Sequence, residues 1–389
     1  MAGRYWRGWS TTGDRPVHTV SADRLGASDT SRRLLVKLRY GMNPHQTPAT
    51  LVPVEPGSAP VRVVSGSPSY INVLDAVGAW QLVREAARAL GRPAAASFKH
   101  VSPAGAAVAG PIDRPMASAY GLDPAHVGEL TSAYARARDA DPKSSYGDFV
   151  AVSHPVDAEL ADLLRGVVSD GIVAPGFEPG VAAALATKKS GRFLVLEADP
   201  EFTPPPVEVR EVFGLRLTQP VDAEPPVIEA PGLPPAARTD LILGSVIARY
   251  TQSNSVVYLR GGMALGVGAG QQSRIDCTAL AGAKVDTWWL RRHPALDLAS
   301  GGRAQDRVTA QLAAVREVPE PAAWLARLDG VALVSDGALP FVDNVAEARR
   351  HGVRYLAEPG GSPRSPEIRA EARRLGIHLV PTGRRLFRH

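Results

Sequence analysis

Short apolar runs alternate with segments of helical periodicity along most of the chain, and one of these segments predicts a long helix. In NVLDAVGAWQLVREAARAL, apolar residues including Leu74, Val77 and Leu82 recur at helical spacing on one stripe. Gly91 and Pro93 follow directly, and we expect them to end the helix because neither residue continues it.

The short apolar runs predict strands. PAAASF follows the helix as a buried strand, which places Lys99 and His100 at its carboxyl end. Further strands are predicted at 149–153, 171–175 and 193–198. Strands and helices that alternate in this way indicate an α/β fold with parallel or mixed sheets and with sites at strand ends.

The second half of the chain repeats this organisation. ARTDLILGSVIARY predicts a helix that leads into TQSNSVVYL, a strand with a polar start, and the later segment around VSDGALPFVDNVAEARR loosely echoes SSYGDFVAVSHPVDAELADLL. The pattern predicts two similar units at 34–202 and 238–389 with a site between them. We expect 203–237, which is the region richest in proline, to connect them, and 1–33 to form a flexible tail.

Length and composition indicate the broad class of protein to which the chain belongs. The chain has 389 residues, 44% of them hydrophobic, which suffices for two or three domains or subdomains. We expect no membrane helix, because no apolar run reaches about 18 residues, and no secretory signal, because the start lacks an apolar core. The lone Cys277 excludes an intramolecular disulfide and a thiolate zinc cage, so a cytoplasmic setting is expected.

The charge of +5 raises the question of nucleic-acid binding. Arginine dominates the 44 basic residues, of which six are lysine, and basic residues alternate with acidic ones instead of clustering with aromatic residues. We therefore expect no nucleic-acid partner. A positive excess does suit a small anionic substrate.

The Lys99–His100 pair is the first candidate for chemistry. An imidazole can accept or relay a proton near neutral pH, and an ammonium group can stabilise developing negative charge. A surface lysine beside an internally bonded histidine is an equally open interpretation. In LRYGMNPHQTPA, Arg39 is a candidate phosphate-binding fork with Tyr40 as a hydroxyl partner, although an exposed loop explains the motif too.

The stretch with the most candidate motifs runs from 250 to 285. A polar cluster precedes an apolar strand, and then Gly266, Gly268 and Gly270 precede the polar segment QQSR. The glycines are spaced GxGxG and no apolar helix start follows, so they do not predict a dinucleotide site. We expect them to allow close approach of a backbone or a ligand.

Two segments near the end of the chain complete the candidates. VSDGALPFVDN places Asp336, Pro340 and Asn344 in one bend, most of which turn chemistry explains. The chain ends on TGRRLFRH, which contains Arg385. The apolar run GIHLVP just before it indicates that this tail is docked.

Taken together and in this order, the motifs resemble the transformylase half of the bifunctional purine-synthesis enzyme AICAR transformylase/IMP cyclohydrolase, where AICAR is 5-aminoimidazole-4-carboxamide. The resemblance covers about 34–389. It rests on the landmarks LRYGMNPHQTPA, SFKHVSPAGAA, SAYARARDAD, SSYGDFVAVS, VSDGIVAPG, YTQSNSVVY, GAGQQSRIDCTALAGAKVDTWWLRRHP and RLFRH.

The resemblance implies a fold of two similar cytidine-deaminase-like α/β/α subdomains and a homodimer with active sites across its interface. It implies transfer of a formyl group from 10-formyltetrahydrofolate to the 5-amino group of AICAR ribonucleotide, which gives the 5-formamido product and tetrahydrofolate. The cyclohydrolase domain is expected to be absent.

Site residues follow from the same resemblance. It implies catalytic roles for Lys99, His100 and Asn254. It implies that the substrate is bound by Arg39, Tyr40, Asn72, Asp170, Arg274 and Arg385. The folate positions are Lys143, Tyr146, Ala338, Pro340, Phe341, Asn344 and Ser362. A potassium ion is expected near Thr251, Ser253, Ser255 and Asp336. We hypothesise that His100 takes or relays the amine proton, and that Lys99 and Asn254 are the candidate donors to the oxyanion.

The sequence departs from the family around the folate pocket, where Ala338 and Val342 replace an aromatic residue and an arginine, and Lys143 replaces an apolar residue. Three alternatives therefore stay open for the substrates: a folate with a polyglutamate tail, another formyl donor, or another acceptor. Two alternatives remain: an N-formyltransferase for a related amino-azole carboxamide nucleotide, and a nucleotide-binding sensor without catalysis.

Overall fold

The computed structural model describes residues 36–55, 57–296 and 301–389, so the predicted tail at 1–33 lies outside the described residues. The described strands are β1 Val36–Leu38, β2 Ala49–Leu51, β3 Val61–Ser65, β4 Ala94–Lys99, β5 Ser102–Val108, β6 Asp148–Val152, β7 Ser169–Ala174, β8 Leu194–Ala198, β9 Val207–Val212, β10 Leu215–Pro220, β11 Val256–Leu259, β12 Ala264–Gly268, β13 Val331–Ser335, β14 Val353–Glu358 and β15 His378–Pro381. The described α-helices are α1 Tyr70–Leu90, α2 Arg114–Tyr120, α3 Glu129–Asp139, α4 Ala158–Gly166, α5 Val181–Ala186, α6 Lys188–Gly191, α7 Pro235–Arg249, α8 Arg274–Leu290, α9 Ala304–Ala314, α10 Pro321–Leu325, α11 Asp343–Arg350 and α12 Ser365–Arg374.

The predicted long helix is α1, and its ends have local causes. At the start, the side chain of Asn72 reaches back to the capping residue Ser69, and Asn72 Oδ1 accepts the Ser69 backbone N–H and hydroxyl at 3.0 and 2.7 Å. Gly91 ends the helix with φ 62°, a left-handed conformation that glycine adopts without steric cost. The predicted strands of the first half are β4, β6, β7 and β8, within one or two residues at each end.

The two main sheets share a topology of five strands, to which the first sheet adds β3, antiparallel to β8. The first has the order β3-β8-β7-β6-β4-β5, and the second has the order β12-β11-β13-β14-β15. In each sheet a hairpin, β4–β5 or β11–β12, is followed by one antiparallel and then two parallel neighbours. The two segments that echo each other in sequence form β6–α4 and β13–α11, which are equivalent positions in the two units.

The two sheets meet at strands β5 and β12. Ala107 forms an antiparallel bridge with Met263, and the N–H of Val108 donates to the Gly262 carbonyl at 2.9 Å. One apolar layer lies beneath α1 and α7, and the other beneath α3 and α8; successive strand residues such as Ala95 and Ala96 enter opposite layers. The result is an α/β/α arrangement, so the predicted fold class is confirmed.

Glycines allow the helices to lie close against the hairpin strands. A Cβ on Gly266 would stand 2.3 Å from the Ala281 carbonyl oxygen of α8, and one on Gly268 would stand 2.6 Å from that of Cys277. In the first unit, a Cβ on Gly105 would stand 2.2 Å from the Ala137 carbonyl oxygen of α3. The spacing GxGxG therefore serves close packing of backbones at Gly266 and Gly268, as the sequence predicts.

The proline-rich segment contains a hairpin that its composition does not predict. Strands β9 and β10 pair antiparallel over six residues, and every residue of both strands is exposed. Phe213 at the turn is fully exposed. No helix within the described parts of the chain is long and apolar enough to span a membrane.

Candidate active site

The Lys99–His100 pair lies at the tip of the β4–β5 hairpin. Lys99 ends β4 and pairs with Ser102, so His100 and Val101 form the two-residue loop. Their φ angles are 55° and 61°, in the left-handed region. The Lys99 ammonium donates to the Tyr146 carbonyl oxygen at 2.6 Å, while His100 is exposed.

A polar cleft of about 130 Å³ lies beside this hairpin and is called the Arg39 cleft below. Its lining is Arg39, Ser67, Asn72, Asp170, Lys189, Arg192 and Leu194. Arg39 Nη2 donates to the Tyr40 hydroxyl at 3.0 Å, and the Lys189 ammonium pairs with Asp170 at 2.5 Å. Three cations and one carboxylate thus line the cleft, which suits an anionic ligand that also carries hydroxyl groups.

The cleft and the hairpin are adjacent at Gly147. A Cβ placed on Gly147 would stand 3.9 Å from Asp170 Oδ1 and 4.0 Å from Lys99 Nζ. Because Gly147 has φ 77° and no side chain, this point stays open between the two groups. A ligand held by the cations of the cleft could therefore present a reactive group to Lys99.

A buried carboxylate of α1 supports the hairpin from behind. Asp75 Oδ1 accepts the N–H of Val101 at 2.6 Å. Burial raises the pKa of Asp75 to about 6, and the N–H groups of the turn and the charge of His100 partly offset this rise. The corresponding helix of the second unit carries Asp240, which accepts the N–H groups of Gly261 and Gly262 at 3.0 and 2.5 Å.

A second polar group, called the Asp336 cluster below, surrounds the start of β11. Asp336 accepts the Ser253 hydroxyl at 2.5 Å and the Ser255 N–H at 2.9 Å, and it pairs with Arg274. Arg274 also donates to Asn254 Oδ1 at 2.7 Å. Asn254 Nδ2 donates to the carbonyl oxygens of Gln271 and Gln272 at 2.8 and 3.0 Å, so both of its N–H bonds are engaged.

The C-terminal tail docks on this cluster. Leu386 N donates to the Asp336 carbonyl oxygen at 2.9 Å, and Ser253 N donates to the Arg388 carbonyl oxygen at 2.9 Å. Arg385 is exposed and its guanidinium lies over the Phe387 ring. The tail is therefore docked on residues just before β11 and just after β13, as the apolar run before it predicts.

The predicted potassium position contains one buried oxygen atom that is free to bind an ion. Ser255 Oγ is buried and has no hydrogen-bond partner among the described residues, which is unusual for a hydroxyl. The backbone N–H of the same residue, Ser255, donates to Asp336. The hydroxyl of Thr251, in contrast, already donates to the Ile247 carbonyl oxygen at 2.6 Å. The unpartnered hydroxyl is therefore the feature of this position that suits a hard cation, since the Asp336 carboxylate is already paired with Arg274.

The predicted folate residues fall into two groups. Lys143 and Tyr146 are exposed on the loop beside Lys99. The others lie on the bend after β13 or near it, where Phe341 is half-exposed under the Arg364 guanidinium and Ser362 bonds to Ser365. Ala338 and Pro340 are partly buried, and Asn344 is buried, with its amide bonded to Asp343 and Phe341.

The structure thus brings together Arg39, Asn72 and Asp170, and it keeps Asn254, Arg274 and Arg385 apart from them. None of the latter three lines the Arg39 cleft, and no described hydrogen bond or ion pair joins the cleft to the Asp336 cluster. The register of the β5–β12 contact places both groups at the same edge of the combined sheet, with those two strands between them.

Several residues of the site were missed by reasoning from the sequence. Lys189 and Arg192 belong to the motif KKSGR, where the basic run was the available signal. Asp75 interrupts the apolar stripe of α1, and a carboxylate on the buried side of a helix was the signal there. Ser67 and Gly147 carry no pattern that distinguishes them from other loop residues.

Comparison with known proteins gives concordant matches. A family model described as AICARFT/IMPCHase bienzyme matches residues 19–284. Relatives named bifunctional purine biosynthesis protein PurH, from Cereibacter sphaeroides, Ruegeria pomeroyi and Roseobacter denitrificans, are 32%, 32% and 31% identical over 97% of this chain. The chain spans 65% of the length of each of these relatives.

Proposed function

Because the chain belongs to the AICARFT/IMPCHase bienzyme family, we propose that it is a formyltransferase of purine biosynthesis that uses AICAR ribonucleotide as acceptor and 10-formyltetrahydrofolate as donor. The observation that carries this proposal is the Arg39 cleft, in which Arg39, Lys189 and Arg192 lie next to the Lys99 hairpin. The cleft suits the phosphate and ribose of a nucleotide.

The proposed reaction forms a bond between the 5-amino nitrogen and the formyl carbon and then breaks the bond from that carbon to N10 of the folate. The amine loses a proton, which we assign to His100 as acceptor or relay, and N10 gains one. An oxyanion develops in between and needs donors. Lys99 has N–H groups beyond the one given to Tyr146, whereas both N–H bonds of Asn254 are engaged. We therefore favour Lys99 for this role.

In this proposal Asp170 and Asn72 bind the ribose or the base. Asn72 Oδ1 caps α1, which leaves Nδ2 as the group for a ligand. A potassium ion would be held by oxygen atoms of Ser253, Ser255, Thr251 and Asp336, and it would link the residues before β11 to the end of β13. The folate would contact the loop at Lys143 and Tyr146 and the bend at Phe341.

We further propose a homodimer in the cytoplasm, with each site completed by its partner. Two observations support the dimer. The predicted substrate residues occupy two separate groups in one chain, and the hairpin β9–β10 exposes Val207, Val209, Leu215 and Leu217. Exposed apolar side chains on both strands are typical of a surface that another chain covers.

Arg192→Ala tests the nucleotide assignment. Removal of a charge-assisted contact to a phosphate should weaken binding of AICAR ribonucleotide about tenfold to a hundredfold, measured by calorimetry. Arg165→Ala, in an exposed ion pair on α4, is the matched control and should leave affinity unchanged. Unchanged affinity in Arg192→Ala would contradict the assignment, and binding of other amino-azole nucleotides in preference would favour the related N-formyltransferase.

A further inference from the structure

The loop that carries His100 has a conformation that its residues disfavour. Both residues of this two-residue hairpin loop have positive φ, a geometry for which Asn-Gly is strongly preferred. Here the residues are His100 and Val101, and a β-branched residue at positive φ is an outlier. Surrounding contacts must therefore hold the loop in place.

Asp75 makes such a contact from a fixed position. It is 7% exposed and lies in the second turn of α1, which packs against β4. Its Oδ1 receives the Val101 N–H at 2.6 Å, next to the peptide that links Val101 to His100. The carboxylate thus ties a rigid helix to the loop that presents the two candidate catalytic side chains.

The second unit contains an internal comparison for this contact. Asp240 is the sixth residue of α7, as Asp75 is of α1, and it binds the corresponding hairpin loop. That loop has Gly261 and Gly262 at its positive φ angles of 65° and 79°. The carboxylate is common to both units, whereas the histidine and valine at positive φ occur in the unit that contains Lys99.

We infer that Asp75 is a positioning residue, which holds His100 and Val101 in the left-handed conformation and so keeps the Lys99 hairpin in place beside the Arg39 cleft. This inference rests on the proposed function. Asp75 lies behind the loop, so its removal is expected to reduce the rate of the chemical step and to leave nucleotide affinity nearly unchanged. A displacement of about 1 Å at a reacting group costs on the order of a hundredfold in rate.

The experiment measures kcat, the affinity for AICAR ribonucleotide and the backbone hydrogen exchange of residues 99–101 in three variants. Asp75→Ala should lower kcat about tenfold to a hundredfold, change affinity less than about threefold and speed exchange at Val101. Asp75→Asn keeps an oxygen acceptor in place, so kcat should stay within about fivefold of the wild type and the exchange should remain slow.

Asp240→Ala is the matched control, because it removes the same kind of contact from the other unit. It should lower the melting temperature about as much as Asp75→Ala and leave kcat within about twofold. The inference is overturned if Asp75→Ala loses no more kcat than Asp240→Ala, if Asp75→Asn is as slow in turnover as Asp75→Ala, or if exchange at Val101 is no faster in Asp75→Ala than in the wild type. A wild type without turnover would refute the proposed function, and the exchange measurement would still decide the role of Asp75.

Discussion

Two side chains proposed for catalysis, Lys99 and Asn254, differ in how many of their N–H groups are already engaged in hydrogen bonds. Lys99 is partly exposed and gives one N–H to the Tyr146 carbonyl oxygen, whereas Asn254 is bonded to Gln271, Gln272 and Arg274. A donor that must first break two hydrogen bonds is a poor oxyanion ligand, because electrostatic stabilisation relies on groups already in place. These contacts therefore favour Lys99 over Asn254 in the proposed role of oxyanion donor.

Lys99→Met tests this assignment at the level of one residue. Loss of the ammonium should reduce kcat by about a hundredfold or more, because one preorganised donor to an oxyanion has an effect of that size. Lys37→Met, at an exposed position on β1, is the matched control and should retain full activity. Turnover of Lys99→Met within about threefold of the wild type would remove Lys99 from the mechanism.

At the scale of elements, the sequence predicts what local patterns determine. The apolar stripe of α1 and the short apolar runs of β4, β6, β7 and β8 give these elements nearly in full, because helix and strand periods are local properties. Hairpin β9–β10 was missed because it lies in a proline-rich segment. Its two strands pair with each other and all their residues are exposed, so no buried face produces a hydrophobic pattern.

Close packing of α8 on β12 gives a prediction at this scale. Gly266→Ala should destabilise the protein by about 1–3 kcal/mol, because a Cβ would meet the Ala281 carbonyl oxygen at 2.3 Å and backbone would have to shift. Gly176→Ala is the control, since a Cβ there would make ordinary contacts of 3.9 Å with Pro155. If urea unfolding gives both variants the same free energy of unfolding, the packing of α8 on β12 does not require a glycine at position 266.

For the whole molecule, the repeated units explain which parts of the site were predictable. Lys99 lies at the carboxyl end of β4, where an α/β pattern predicts sites, whereas the polar cluster at 251–255 lies at the amino end of β11. Contacts distant in sequence were not predictable: Asp336 pairs with Arg274, 62 residues away, and Asp75 reaches Val101 from another element. Lys189 and Arg192, the other two cations of the Arg39 cleft, likewise join Asp170 only when β7 and β8 pair.

The buried carboxylates at equivalent positions of the two units, Asp75 and Asp240, should make the free energy of unfolding depend on pH. Burial raises the pKa of Asp240 to about 6, above the value of about 3.9 expected in the unfolded chain. Between these values the folded state binds more protons, so the group's contribution to stability is present below about pH 4 and is lost as pH rises through 6. Asp240→Asn lacks this titration and should gain up to about 3 kcal/mol relative to the wild type between pH 4 and 7.

Unfolding by urea at several pH values measures this difference. Asp162→Asn, in an exposed ion pair with Arg165, is the control and should follow the wild type at every pH. A stability difference between Asp240→Asn and the wild type that does not change with pH would contradict the raised pKa.

Release of tetrahydrofolate from 10-formyltetrahydrofolate, with AICAR ribonucleotide as acceptor, tests the central claim most directly. The wild type should turn over, and His100→Ala should lose at least about a hundredfold in rate, the scale of a general base, while it still binds the nucleotide. A folded wild type that binds AICAR ribonucleotide but releases no tetrahydrofolate would contradict the account and favour a nucleotide sensor or another acceptor.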